Sequence, residues 1–164
     1  MDIFQSVLVG ATFLCTLVSG FLFAFAVVVM PGIRKLGDYQ FIRAFQVIDG
    51  VIQDRQPLFI LVWAGSVVLL IAAVVLGMQP LDGIGRMLLI VAALLYLLGV
   101  QLPTMMIHIP LNNVLQSLDI DVIEEATLHE ARENFEPGWT RMNIIRTALS
   151  CMASLLLMLL LYRI

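Results

Sequence analysis

The stretch RMNIIRTALSCMASLLLMLLLYR, residues 141–163, decides the fold. Between Arg146 and Arg163 lie 16 uncharged residues, 147–162. At about 1.5 Å per residue they reach only about 24 Å, short of a hydrocarbon core about 30 Å thick. A spanning helix must therefore begin near Arg141, drawing Asn143 and Arg146 into or just beneath the headgroup layer. A polar side chain at that depth either snorkels outward or finds a partner inside the protein.

Three more apolar segments precede it. No charged residue occurs from Ile3 to Ile33, and Pro31-Gly32 ends a first crossing of about 4–30. A signal-peptide reading fits it poorly, despite Ala24-Phe25-Ala26. The only charge ahead is Asp2, and the apolar run continues through Val27-Val28-Val29-Met30, so the segment is expected to be retained. Residues 56–81 are again uncharged, giving a second crossing of about 57–77. From Arg86 to Asp119 no charge intervenes, which sets a third at about 86–109, and the fourth follows at about 141–162.

Composition agrees with this pattern. The 164 residues are 61% hydrophobic and 13% charged, against about 45–50% and about 25% in soluble domains. The expected architecture is all-α, a single membrane domain folded as a transmembrane four-helix bundle. With a formal net charge of -3 and dispersed Lys and Arg, the chain offers no basic field for nucleic acid. Membrane lipid is the expected surrounding.

Two connections carry structure of their own. Residues of about 38–54 form an amphipathic helix, with Phe41, Phe45, Ile48 and Ile52 as one apolar stripe. Arg43, Gln46, Asp49, Gly50 and Gln53 fall on the other side. Such a helix lies at the interface or folds back on the bundle. Residues 105–140 hold seven of the twelve acids, and Asp121-Val122-Ile123-Glu124 predicts a capped short helix of about 122–134 ahead of the fourth crossing.

Lys and Arg set the expected orientation. The loops after the first and third crossings carry Arg34, Lys35, Arg43, Arg55, Arg132 and Arg141; the other face carries Arg86 and Arg163. This places both termini outside the cytoplasm, and the chain is expected to be a multi-pass protein of the plasma (cytoplasmic) membrane. Small residues four apart (Ser6 and Gly10, Cys15 and Ser19, Thr16 and Gly20, Ser150 and Ser154) either pack the bundle internally or form the face of a homo-oligomer. Cys15 and Cys151, inside apolar stretches and without a C-x-x-C, read as small buried packing residues.

The polar residues of one membrane face form the candidate site: Gln46, Asp49 and Gln53, then His108, Asn112 and Asn113, then Trp139, Asn143 and Arg146. One reading is a polar pocket open to an apolar small-molecule substrate, with Arg146 holding an oxygen anion or pairing with Asp49 and His108 exchanging protons. The competing reading is a non-catalytic bundle binding lipid or a protein partner, in which these groups merely satisfy one another. A haem or metal protein using His108 beside Met105 and Met106 is a third. Glu125, His129 and Glu133 share a helix face but read as solvated acids, so no metal site is expected. Dinucleotide and phosphate-loop fingerprints are absent, and the residues leave any cofactor unknown.

Taken together, Val29-Met30-Pro31-Gly32, Phe45-Gln46, Ile48-Asp49, Ile52-Gln53, Pro57 and Phe59, His108-Ile109-Pro110-Leu111-Asn112-Asn113, and Trp139, Asn143 and Arg146-Thr147 resemble the anthrone-oxygenase-like family of small four-helix membrane proteins. The resemblance covers roughly residues 20–150. It implies oxygen-dependent oxidation of a flat aromatic substrate, as for fungal members implicated in converting anthrones to anthraquinones. Most bacterial members have no assigned function. The pocket it implies uses Gln46, Asp49, Asn112, Trp139, Asn143 and Arg146. The chain departs from the family at His108, commonly Asn, and at Met142, commonly Trp. Within this reading His108, Asp49 and Arg146 are the catalytic candidates. Gln46, Asn112, Asn113, Trp139 and Asn143 are the substrate-binding candidates.

Overall fold

The computed structural model describes residues 2–164, and every element among them is helical. Helix α1 is Ile3–Ile33, α2 is Asp38–Gln53, and α3 is Pro57–Gly77, α4 Gly83–Gln116 and α5 Glu125–Arg163. All but α2 are long and apolar enough to cross a membrane, so the protein is a four-helix membrane bundle.

The helix starts follow local chemistry. Asp2 caps α1 through a hydrogen bond from the Gln5 backbone N–H (2.7 Å), and the Gln5 side chain answers with one from the Asp2 N–H (3.2 Å). Pro57 occupies the first turn of α3, where its missing N–H costs nothing. Asp82 caps α4 by accepting from Gly85 N–H at 2.7 Å. Between α2 and α3, Arg55 takes a left-handed conformation (φ 59°). That helps α2 turn back toward the bundle rather than extend away from it.

The sequence divides the last helical region in two, whereas the structure makes it one. Residues Glu125–Arg163 form a continuous helix of 39 residues, roughly twice the length a bilayer core requires. Pro137 lies inside it on an exposed face. Phe135 and Trp139, on either side of Pro137, are buried against α2 and α1 and hold the axis straight through it. Asp121 does not cap this helix. It accepts from Tyr39 Oη at 2.7 Å and from Arg43 Nη2 at 2.6 Å, tying the loop to α2.

Helix α1 packs on α3 and α5, and α4 packs on α5. One end of the bundle is aliphatic, built from residues such as Leu8, Leu70, Ala92 and Leu157. Small side chains permit close approach: a Cβ on Gly10 would sit 2.9 Å from Leu69, and Ser19 Oγ and Ser154 Oγ share a hydrogen bond of 3.0 Å. Thr16 and Gly20 instead face outward with Cys151, which is exposed rather than a buried packing residue. The other end is aromatic, where α2 folds back so that Phe41 and Phe45 meet Phe135 and Trp139.

Three helical segments at the aromatic end widen into π-helical turns: Phe25–Val29 in α1, and Leu97–Gln101 and Thr104–His108 in α4. Each ends two residues before a proline: Pro31, Pro103 and Pro110. In each, the N–H just before the proline (Met30, Leu102, Ile109) donates to the carbonyl five residues back rather than four. A proline ring collides with the carbonyl four residues behind it, and opening the turn by one residue relieves that collision. Such widened turns are frequent at functional sites.

Candidate functional site

The widened turns and the fold-back of α2 leave a cavity of about 190 Å³ among α1, α2, α3, α4 and α5. Its walls are aromatic: Phe21, Phe25, Phe45, Phe59, Trp63 and Trp139. Phe59 and Trp63 stack with centroids 5.2 Å apart, while Trp139 meets the His108 ring edge-on at 5.1 Å. Polar residues interrupt the walls at Asp49, Thr104, His108, Asn112, Asn143 and Arg146.

These polar residues form two separate networks. In the first, the buried Asp49 carboxylate accepts from Asn112 Nδ2 (2.7 Å), Gln116 Nε2 (3.1 Å) and Gln53 Nε2 (3.1 Å). Asn112 Oδ1 in turn accepts from Trp139 Nε1 at 2.8 Å. In the second, Arg146 Nη1 donates to Thr104 Oγ1 (2.7 Å) and Nη2 donates to Asn143 Oδ1 (2.9 Å). Asn143 is itself anchored by donating to the Leu22 carbonyl at 3.2 Å, and Thr104 by donating to the Val100 carbonyl at 2.7 Å.

The expected Arg146–Asp49 pair does not form. Among the described residues no carboxylate makes a salt bridge with Arg146, although the residue is only 4% exposed and its Nε is buried without a partner. The amides of α2 and α4 already hold Asp49 with three hydrogen bonds. His108 is buried too. Its Nδ1 lies 3.4 Å from the Pro103 carbonyl, an acceptor that favours the neutral tautomer with the proton on Nδ1. That leaves Nε2 with its lone pair and no protein partner.

Of the residues singled out from sequence, Asp49, His108, Asn112, Trp139, Asn143 and Arg146 line the cavity together. Gln46 and Asn113 do not. Gln46 Nε2 donates to the Leu115 and Leu118 carbonyls at 2.8 and 3.0 Å, closing the end of α4; Asn113 is exposed and accepts from Gln53. Asp49 lies on the buried face of α2 with Phe41, Ile42 and Phe45, not on the polar side where the stripe of apolar residues put it. Thr104, Trp63 and Gln101 went unnoticed in the sequence. Trp63 Nε1 donates to Gln101 Oε1 at 2.8 Å. The signal available for Thr104 and Gln101 was their place beside Pro103.

Glu125, His129 and Glu133 form no metal cluster. Among the described residues no three His, Cys, Asp or Glu side chains are grouped to hold an ion. His129 instead bonds Asp38 at 2.9 Å, beside Arg132, which donates to Asp38 at 2.9 Å and Glu136 at 2.8 Å.

The four-span bundle thus carries an aromatic cavity with a buried arginine in its wall that no carboxylate pairs. The family model for anthrone oxygenase matches residues 54–156, well over half the chain, and the chain belongs to that family. The match takes in Trp63, Thr104, His108, Asn112, Trp139, Asn143 and Arg146 of the cavity wall. No curated protein and no solved structure matches the chain.

Proposed function

We propose that the protein is a membrane-embedded oxidoreductase of the oxygenase type that oxidises a hydrophobic aromatic small molecule with dioxygen. The observation that carries this reading is Arg146. A buried guanidinium without a counter-charge costs several kcal/mol, and an anionic oxygen on a bound aromatic offsets that cost. Thr104 and Asn143 hold the guanidinium in place beforehand, so charge developing on that oxygen meets a donor already oriented.

The chemistry that fits is deprotonation followed by electron loss. His108 Nε2 takes the proton, and the resulting enolate or phenolate oxygen rests on Arg146. The electron-rich ring then reacts with dioxygen. For an anthrone, the ring CH₂ becomes C=O; one oxygen atom enters the product and the other leaves as water with the two hydrogens. For a quinol, two electrons and two protons pass to dioxygen, giving quinone and hydrogen peroxide. Phe59 and Trp63, whose rings lie 24° from parallel, supply a flat wall for the ring, and Trp139 bounds it on another side. The Lys and Arg asymmetry supports an orientation in the plasma membrane with both termini outside the cytoplasm.

The test is oxygen uptake by purified protein in lipid nanodiscs, supplied with an anthrone and with single-ring quinols. Uptake that depends on Arg146 supports the proposal. If Arg146→Ala and Arg146→Lys consume oxygen as fast as the natural protein, the proposal fails. Lowered thermal stability in these variants without any chemical defect would favour the non-catalytic bundle.

A further inference from the structure

The cavity is small for the family's name. At about 190 Å³ it is little larger than the roughly 150 Å³ core cavity known to hold one benzene. It falls below the roughly 300–1,000 Å³ of drug-sized sites. A single ring carrying an oxygen fills that space, whereas three fused rings exceed it.

The cavity is also not closed on every side. Helices α3 and α4 pack on each other near their hairpin, and beside the cavity the Trp63–Gln101 hydrogen bond joins them. There the lining residues Ile52, Phe59 and Trp63 are half-buried and Ile109 is exposed, while Trp139, Asn143 and Arg146 on the inner wall are buried. Outside this opening, Leu102, Met105 and Ile109, three and four residues apart on one face of α4, are all exposed and apolar. The gap therefore leads into lipid rather than water.

Resting on the proposed role of Arg146 as the oxygen anchor, we infer that the ligand is a single-ring phenol or quinol bearing an apolar tail. Its ring occupies the cavity and its tail passes between α3 and α4 into the bilayer. An aliphatic tail stays in hydrocarbon throughout, so binding needs no desolvation of the tail, and only the ring has to fit.

Both tryptophans of the chain, Trp63 and Trp139, line the cavity, so intrinsic fluorescence reports binding. Nanodisc-embedded protein would be titrated with para-octylphenol, an octyl-substituted naphthol and anthrone, each at matched concentration in the bilayer. The one-ring compound should bind about tenfold or more tighter than anthrone, and Phe59→Ala, which enlarges the cavity beside its opening, should narrow that gap. Anthrone binding as tightly as the phenol overturns the inference.

Tail placement has its own readout. A nitroxide at the tail end should quench Trp63, measured in Trp139→Phe, more than Trp139, measured in Trp63→Phe; equal quenching, or the reverse, overturns the tail path. Ile109→Trp, at an exposed position, should weaken the tailed phenol relative to an untailed one by about fivefold or more, and equal weakening of both likewise overturns it. If phenols bind with the expected ring-count preference but Arg146→Ala leaves their affinities unchanged, the anchor reading falls while the size argument stands.

Discussion

Two buried charges lie on the wall of one cavity and are treated in opposite ways. Asp49 is surrounded by three side-chain amides that donate to it. Arg146 is held by one hydroxyl and one amide oxygen and keeps an Nε unmet. A satisfied buried carboxylate stabilises a structure by organising the donors around it, whereas an incompletely met buried cation is a demand for a ligand. The comparison teaches that Asp49 belongs to the architecture joining α2 to α4, and that Arg146 is the better candidate for chemistry.

The largest expected effect breaks the comparison on the arginine side. Arg146→Ala should lower kcat/KM for oxygen uptake by about 10²–10³, the usual consequence of losing one donor to a developing oxyanion. Its unfolding temperature in detergent should hold or rise, because an unpaired buried charge has gone. Arg146→Lys should recover little, since an ammonium cannot reach Thr104 and Asn143 as a planar fork does.

On the carboxylate side, Asp49→Ala should destabilise the fold by about 3 kcal/mol, by stranding the Asn112 amide and weakening the hold on Gln116 and Gln53. Thermal unfolding would read this loss, with the residual folded fraction retaining its kcat. A specific loss of kcat in fully folded Asp49→Asn would return Asp49 to the chemistry. His108→Gln should slow oxygen uptake by about 10², in the range of a lost general base, with little change in ligand affinity by tryptophan fluorescence.

The smallest effect concerns a carboxylate outside the membrane. The hydrogen bond from His129, with a further bond and positive charge from Arg132, holds the Asp38 carboxyl below its ordinary value of 3.8. A depressed native pKa supplies stability above the ordinary value, and that stability is lost as pH falls through the native one. Docking of α2 on α5 should therefore loosen below about pH 4, as increased amide exchange over residues 38–53. Asp38→Asn should show a smaller change of exchange across that acid range, the remainder coming from Asp121, which also holds α2.

Several particulars of the fold were legible in the chain. Uncharged runs marked all four crossings, and the brevity of 147–162 correctly forced Asn143 and Arg146 inward. The side of α2 that carries Asp49 was misread because the stripe through Phe41, Phe45, Ile48 and Ile52 assumed that polar residues face out. Asp49 is buried because Asn112, 63 residues away in sequence, satisfies it. The merging of the last two helices was missed because Pro137 and the dense acids around it suggest a break, while Phe135 and Trp139 bind the helix on both sides of it.

By itself the sequence determined that this is a four-span membrane bundle, since hydropathy and length are properties of each segment alone. Only the tertiary structure decided that Arg146 and Asp49 do not pair, and that three prolines open their helices around one small cavity. Those outcomes depend on which distant donors reach each charge first, and the order of residues along a chain does not encode that competition locally.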